Sequence, residues 1–235
     1  MARKIRSKPN LLVFDLDNTL YEYEPCHRAG EEAFFKYAME ILGIPHKIAR
    51  RRLATARKNV KIRVTGASSH ERALYFSEFL ALHNTSIDPR FILEAENHYW
   101  SNFLAKMELA PYCEEVLVKA RLNRIMVALV TNLTSIVQYR KLVHLGIDNY
   151  FDIIVTSQET MGEKDTFEPF SLMMNRLKNK VIEEVWFFGD TNSDFPDTYN
   201  ARTKVFFSSP FAKKPALKKD VLNLQSYKEI AKLLG

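Results

Sequence analysis

Leu11-Leu12-Val13-Phe14-Asp15-Leu16-Asp17-Asn18-Thr19-Leu20-Tyr21 runs four apolar residues straight into two carboxylates one residue apart. The apolar run suits a buried strand, but ending it in two like charges is unfavourable unless something offsets their repulsion and desolvation. The plain alternative is a strand-end turn, where Asp and Asn are common. The rest of the chain decides between a turn and a site.

Further short apolar runs follow at Ile125–Val130, Ile153–Val155, Val185–Phe188 and Val205–Phe207. They are rich in Val, Ile or Phe and lack clean alternation, as do strands of a parallel sheet covered on both faces. Helical patterns lie between them. Ser135–Leu145 places Ile136, Tyr139, Leu142, Val143 and Leu145 on one side, with Gly146 as its C-terminal stop. Phe170–Lys178 carries Leu172, Met173 and Leu177. Strands alternating with helices predict an α/β fold with a doubly wound, mostly parallel sheet.

That rhythm breaks between Tyr21 and Met107. Ala33, Phe34, Tyr37, Ala38, Ile41 and Leu42 form a helical stripe ending at Gly43, and a basic helix carrying Leu53 and Ala56 begins around His46. Phe76, Phe79, Leu80 and His83 form a third stripe and Phe91–Leu104 a fourth, with Ser69 as the expected N-cap after the loop Thr65–Ser69. The expected organisation is therefore a sheet-bearing domain from residues 1–20 and 108–235, interrupted by an all-helical domain at 21–107.

Composition excludes several classes. A chain of 235 residues, 46% hydrophobic and 26% charged, is globular rather than disordered. Apolar runs such as Ile125 to Val130 fall far short of the roughly 20 residues a membrane span needs. The basic start MARKIRSKPN precedes too short an apolar run for a signal peptide, and two cysteines, Cys26 and Cys113, fit a reducing compartment. A cytoplasmic protein is expected. The net charge of +6 has basic clusters at Arg3, Lys4, Arg6 and Lys8 and at Lys213, Lys214, Lys218 and Lys219. These read either as solvated surface or as attraction for an anion. No glycine-rich phosphate loop, zinc spacing or aromatic-interleaved basic motif supports a nucleic-acid partner.

Ligands of open parallel sheets bind outside the carboxyl ends of the strands. Asp15, Asp17 and Thr19 follow the first run, and Thr131 and Asn132 the second. Lys164 lies beyond the third, and Gly189, Asp190 and Asp194 beyond the fourth. Each has a plain reading as a cap, a turn or a surface lysine. Their joint occurrence along one sheet edge points to a site.

In this arrangement the sequence resembles the haloacid dehalogenase superfamily of phosphohydrolases. DLDNT (Asp15 to Thr19) is similar to its first motif, Thr131 to its second, Lys164 to its third, and GDTNSD (Gly189 to Asp194) to its fourth. The helical insert resembles the type 1 cap. One departure is the lysine context, Lys164-Asp165-Thr166-Phe167-Glu168-Pro169-Phe170, where many members read K-P-x-P; Lys178 and Lys180 are alternatives farther into the next helix.

The resemblance implies a Mg²⁺-dependent phosphomonoester hydrolase. Asp15 would be nucleophile and metal ligand, forming an aspartyl-phosphate, and Asp17 would be the acid and base. Asp190 and the Asp17 carbonyl would also ligate the ion, and Asp194 would either ligate it or orient Lys164. Thr131, Asn132 and Lys164 would bind the phosphoryl group. A carboxylate at position 17 favours phosphate over dehalogenase chemistry. Tyr21 and Arg72 are candidate contacts to the leaving group, with Arg63 and His70 nearby in sequence. The partner expected is a small phosphate ester, with no membrane or nucleic-acid partner. The wording FDLDNTLY resembles pyrimidine 5′-nucleotidases and points to a nucleoside 5′-monophosphate. Sugar phosphates, phosphoglycolate and mutase chemistry remain alternatives within the superfamily, and a non-enzymatic phospho-accepting or nucleic-acid-binding protein remains one outside it.

Overall fold

The computed structural model describes residues 8–178, 180–196, 201–213 and 221–235. Arg3, Lys4, Arg6, Lys214, Lys218 and Lys219 of the basic clusters lie outside the described residues. Contacts divide the chain into two units, Tyr23–Met107 and the remainder on either side of it.

The flanking segments build one parallel sheet from β1 (Leu11–Phe14), β2 (Met126–Thr131), β3 (Ile153–Thr156), β4 (Glu184–Gly189), β5 (Thr203–Ser208) and β6 (Val221–Asn223). The order is β3-β2-β1-β4-β5-β6. The first strand of the chain thus lies inside the sheet, with β2 on one side and β4 on the other, which is where strand order reverses. Phe14 stands in register with Leu129 of β2 and with Phe188 of β4. The residues just past these strands therefore emerge together at one edge. The short β6 was not among the expected runs.

Strand alternation divides the core between the two faces. Leu11 and Val13 join Val130, Phe170, Met173 and Phe187 in one cluster. On the other face Phe14 stacks on Phe188 at 4.4 Å between ring centroids, and Phe188 stacks on Phe207 at 5.0 Å. These ring pairs sit on neighbouring strands in register, which is the geometry that rewards cross-strand packing.

In chain order the helices are α1 (Tyr23–Leu42), α2 (His46–Arg63), α3 (Arg72–Ala81), α4 (Pro89–Ala105), α5 (Cys113–Leu122), α6 (Ser135–Leu145), α7 (Glu168–Arg176) and α8 (Lys228–Leu234). Helix α6 has the expected bounds, and Gly146 follows it with φ +67°. Its expected face holds only in part: Leu142 is buried as expected. Ile136, Tyr139 and Val143 are exposed, while Val137, Gln138, Lys141 and Leu142 are buried. Apolar periodicity misleads here because the inward face carries polar side chains that find partners at the sheet edge. Helix α7 starts two residues earlier than expected, with Pro169 in the first turn where its missing N–H costs nothing.

The Tyr23–Met107 unit is all-helical, comprising α1 to α4. Phe34 of α1 stacks on Phe76 at 4.3 Å and meets Phe79 edge-on at 5.0 Å. Asp88 caps α4 by accepting from the Arg90 amide, with Pro89 at the first position. Ser69 is not the cap of α3: it lies in a 3-10 turn, Gly66–His70, and Glu71 occupies the cap position without a side-chain bond. Ser69 is buried instead, its carbonyl accepting the Tyr75 hydroxyl at 2.6 Å. No helix of the described residues is long and apolar enough to cross a membrane.

Candidate active site

The loop after β1 is held from both ends. The Asp15 amide donates to the Phe188 carbonyl at 2.9 Å, so the neighbouring strand sets where the carboxylate leaves the sheet. Asn18 then takes φ +57°, a left-handed conformation that Asn tolerates better than most residues. The Leu20 amide closes the turn on the Leu16 carbonyl at 2.9 Å, and Thr19 Oγ1 donates to Asp15 Oδ2 at 3.2 Å. From the far side, Ser209 Oγ donates to the Asn18 carbonyl and the Tyr227 hydroxyl to the Thr19 carbonyl.

Lys164 reaches this loop from beyond β3. Its side chain is buried, and its ammonium donates to both Asp15 and Asp194. Its amide donates to Asn132 Oδ1 at 3.1 Å, so Asn132 positions the lysine segment. Asp194 is buried at the end of the β4 loop, where its Oδ2 accepts from the amides of Asp190 and Thr191 at 3.0 and 2.8 Å and from the Thr191 hydroxyl at 2.8 Å. Gly189 makes this turn feasible, since any Cβ there would overlap the Asp194 carboxyl group.

A second group of side chains meets the loop from α6. Gln138 is fully buried, and its Nε2 donates to Thr131 Oγ1 and to the Asn132 carbonyl, both at 2.7 Å. Lys141, one turn further and also fully buried, donates to Asp17 Oδ1 at 2.7 Å and Oδ2 at 3.0 Å. Tyr21 adds its hydroxyl to Asp17 Oδ1 at 2.6 Å. Tyr21 is itself fully buried, with backbone bridges to Asp17 and Leu109.

The electrostatics divide the site. Burial, reinforced by Asp194, Asp190 and Asp17, pushes Asp15 up to about 8 against the opposing pull of Lys164. Burial and then Asp194 push Asp190 up to about 6, with Lys164 and an Asn18 hydrogen bond opposing. Burial alone would lower Lys164, but Asp15 and Asp194 outweigh it and hold it charged. One carboxylate oxygen from each of Asp15, Asp190 and Asp194 lies within 4.8 Å of the others. With all three carboxylates ionised, one ammonium would leave two negative charges unmatched; the raised values of Asp15 and Asp190 express that strain, and hard oxygen donors of this kind fit a divalent cation that favours their ionised forms. Asp194 already accepts four donors, which suits it to orienting Lys164, and leaves Asp15 and Asp190 as the freer ligands.

The structure thus brings Asp15, Asp17, Thr131, Asn132, Lys164, Asp190 and Asp194 to one sheet edge. Lys178 and Lys180 are exposed and Lys164 occupies the edge position. Arg72 lies in the helical unit and is buried, donating to the His70 carbonyl at 2.6 Å, to Tyr23 Oη at 2.8 Å and to Tyr99 Oη at 3.2 Å. Arg63 pairs with Glu78 at 2.9 Å. Sequence reading missed Gln138 and Lys141. The signal available was two polar residues three apart on a helix that follows a strand ending in Thr131, a spacing that puts both on one face.

A family model described as haloacid dehalogenase-like hydrolase matches residues 12–207. A ribulose-1,5-bisphosphate 5-phosphatase of Halopiger xanaduensis is 39% identical over 186 residues, which are 78% of this chain and 77% of that protein. A glyceraldehyde 3-phosphate phosphatase of Methanocaldococcus jannaschii is 27% identical over 187 residues, 74% of each. Among solved structures, a HAD phosphatase from Thermococcus onnurineus superposes with a TM-score of 0.67 at 21% identity, covering 96% of this chain and 97% of that one.

Proposed function

Because this chain belongs to the haloacid dehalogenase-like hydrolase family and is a phosphatase among its members, we propose that it hydrolyses a small phosphorylated sugar through an aspartyl-phosphate on Asp15. The observation that carries the chemistry is the buried Asp15 carboxyl group, aimed out of the sheet beside Lys164 in a cluster of three carboxyl groups served by that one ammonium. A bound Mg²⁺ ion, held by Asp15, Asp190 and the Asp17 carbonyl, would supply the missing positive charge and screen the dianionic ester from the nucleophile.

The protein's own groups do the rest. Thr131, whose hydroxyl oxygen already accepts from Gln138, turns its proton to a phosphoryl oxygen. Lys164, held by Asp194, neutralises charge on the transferring group. An Asp15 oxygen attacks phosphorus as the ester bond breaks, and Asp17 gives its proton to the departing alkoxide. Asp17 then takes a proton from the water that attacks the aspartyl-phosphate, restoring Asp15 and releasing phosphate. Tyr23–Met107 would serve as the cap that selects the leaving group, Arg72 among its candidate determinants.

Sugar phosphates are favoured over nucleotides because the two curated relatives are named for phosphorylated sugars and neither for a nucleotide. A screen of sugar phosphates, nucleoside monophosphates and p-nitrophenyl phosphate, with and without Mg²⁺, tests this. The expected result is the highest kcat/KM on a sugar phosphate with the metal present. Release of no phosphate from any ester in Mg²⁺ overturns the reading, and a nucleotide as best substrate overturns its sugar part.

A further inference from the structure

We propose that Lys141 is a positioning residue for proton transfer to the leaving group, acting through Asp17. This rests on the reading of Asp17 as acid and base. Lys141 has no solvent exposure, yet it sits on a helix whose apolar side chains Ile136, Tyr139 and Val143 face water. It shares the inward face with Val137, Gln138 and Leu142. An ammonium out of water is costly unless it is well paired, so Lys141 on this face needs good partners. It meets both oxygens of Asp17, at 2.7 and 3.0 Å, while the Tyr21 hydroxyl meets Oδ1 at 2.6 Å.

A carboxylate held at both oxygens by a buried cation does not swing freely about its side-chain bonds. That matters because the proton must pass between Asp17 and an alkoxide oxygen on a phosphoryl group bonded to Asp15, and an ångström of misplacement costs large factors in rate. The proton passes from Asp17 to the alkoxide as the P–O bond to the leaving group breaks and that bond's electron pair stays on oxygen. Asp17 is left as a carboxylate in the grip of Lys141 and Tyr21. In the second half a water proton returns to Asp17 as the water oxygen bonds to phosphorus and the bond to Asp15 breaks, so atoms and charge balance over the cycle. Lys141 itself touches neither substrate nor metal in this scheme. Gln138, three residues earlier on the same face, holds Thr131 in the same manner, so one helix aligns two parts of the site.

The discriminating property is leaving-group dependence. An alkyl phosphate expels a strongly basic alkoxide and needs the proton from Asp17, whereas p-nitrophenyl phosphate expels a weakly basic phenolate and needs little help. Lys141→Met, compared with wild type in Mg²⁺ by kcat/KM on glyceraldehyde 3-phosphate and on p-nitrophenyl phosphate, reads the first chemical step on both. The expected result is a loss of about 100-fold on the alkyl ester and under about threefold on the aryl ester, in line with a general-acid contribution of roughly 10²–10⁴. The double variant Asp17→Asn/Lys141→Met should be no slower on the alkyl ester than Asp17→Asn alone. Equal losses on both esters, or no loss on either, overturn the proposal and assign Lys141 to the fold alone. If the Met variant does not fold, Lys141→Gln, which keeps a donor and drops the charge, is read on the same ratio, and an unchanged ratio is equally fatal. Wild-type inactivity on every ester would instead sink the phosphatase reading beneath it.

Discussion

Two buried lysines serve the loop after β1, and their surroundings differ in kind. Lys164 donates to two carboxylates, Asp15 and Asp194, with Asp190 close by, and with all three ionised the group would carry two negative charges in excess. Lys141 meets both oxygens of Asp17, an ammonium against a carboxylate, with a tyrosine hydroxyl added. The first arrangement is electrostatically unfinished: burial drives Asp15 up to about 8 and Asp190 up to about 6. The second is balanced. An unfinished cluster invites a cation and a dianionic substrate, whereas a balanced pair fixes the direction of one side chain. The loop LDNT joins them, so charge supply and proton geometry are separated by two residues.

The largest effect that this contrast predicts is at the centre of the unfinished cluster. Asp15→Asn removes the nucleophile and should lower turnover by roughly four orders of magnitude or more. Because burial already favours the neutral form of Asp15, the amide should fold as well as wild type, with a thermal midpoint no lower at pH 7. Steady-state phosphate release on the best substrate and thermal unfolding of the same sample check both halves. Retention of more than a few per cent of activity would remove Asp15 from the nucleophile role.

Metal should act on the unfinished cluster in a pH-dependent way. Without the ion, the unfolded chain ionises Asp15 near its ordinary value of 3.8, while the folded protein holds the proton up to about 8. Between those values unfolding releases a proton, so this group's contribution to stability falls as pH rises through the interval. A divalent ion binds the ionised carboxylates and reverses that loss. A single fixed Mg²⁺ concentration, about 100 times the dissociation constant at pH 8, would stabilise the fold there by about 2.7 kcal/mol, and by less at lower pH where protons compete for the carboxylates. The gain in thermal midpoint should be larger at pH 8 than at pH 5.5. Asp190→Asn should shrink that gain. A gain equal at both pH values would mean that the ion binds elsewhere.

The same contrast explains which parts of the molecule were legible in the sequence. Everything in the unfinished cluster sits on strand ends or in short loops, and Asp15, Thr131, Lys164, Asp190 and Asp194 could be placed from the polar residues at the carboxyl end of each apolar run. Strand order placed them because parallel strands in register deliver their ends to one edge. The balanced pair could not be read in this way. Its lysine lies in mid-helix, where apolar spacing chose the face with Ile136, Tyr139 and Val143, and the real inward face carries Gln138 and Lys141. Periodicity assumes that burial follows hydrophobicity, and that assumption fails where buried polar groups find partners on another element. The short β6 escaped for a simpler reason, since three residues carry no usable period. In the helical unit Phe34, Ala38, Leu53, Ala56, Phe76, Phe79 and Leu80 of the expected stripes are buried, whereas Ile41 is exposed and the buried Phe35 escaped; buried Arg72 was not foreseen either, because its hydroxyl partners Tyr23 and Tyr99 are far from it in sequence.

The smallest predicted effect separates the two donors that hold Asp17. Tyr21→Phe keeps the fully buried ring and deletes only the hydroxyl that meets Oδ1 at 2.6 Å. Lys141 would still bridge both oxygens, so Asp17 keeps its direction and loses one hydrogen bond to a charged acceptor, worth about 1.5 kcal/mol at a partly exposed group. The expected cost is therefore about tenfold in kcat/KM on an alkyl phosphate and no change on p-nitrophenyl phosphate. Asp17 is partly open to water, with its side chain 23% exposed, so its Oδ1 can be resolvated and the fold should lose little. Measured beside Lys141→Met, the variant ranks charge against hydroxyl in holding the acid. A Tyr21→Phe loss as large as that of Lys141→Met would show that the short hydrogen bond, and not the buried ammonium, aligns Asp17, and would transfer the positioning role from α6 to the loop itself.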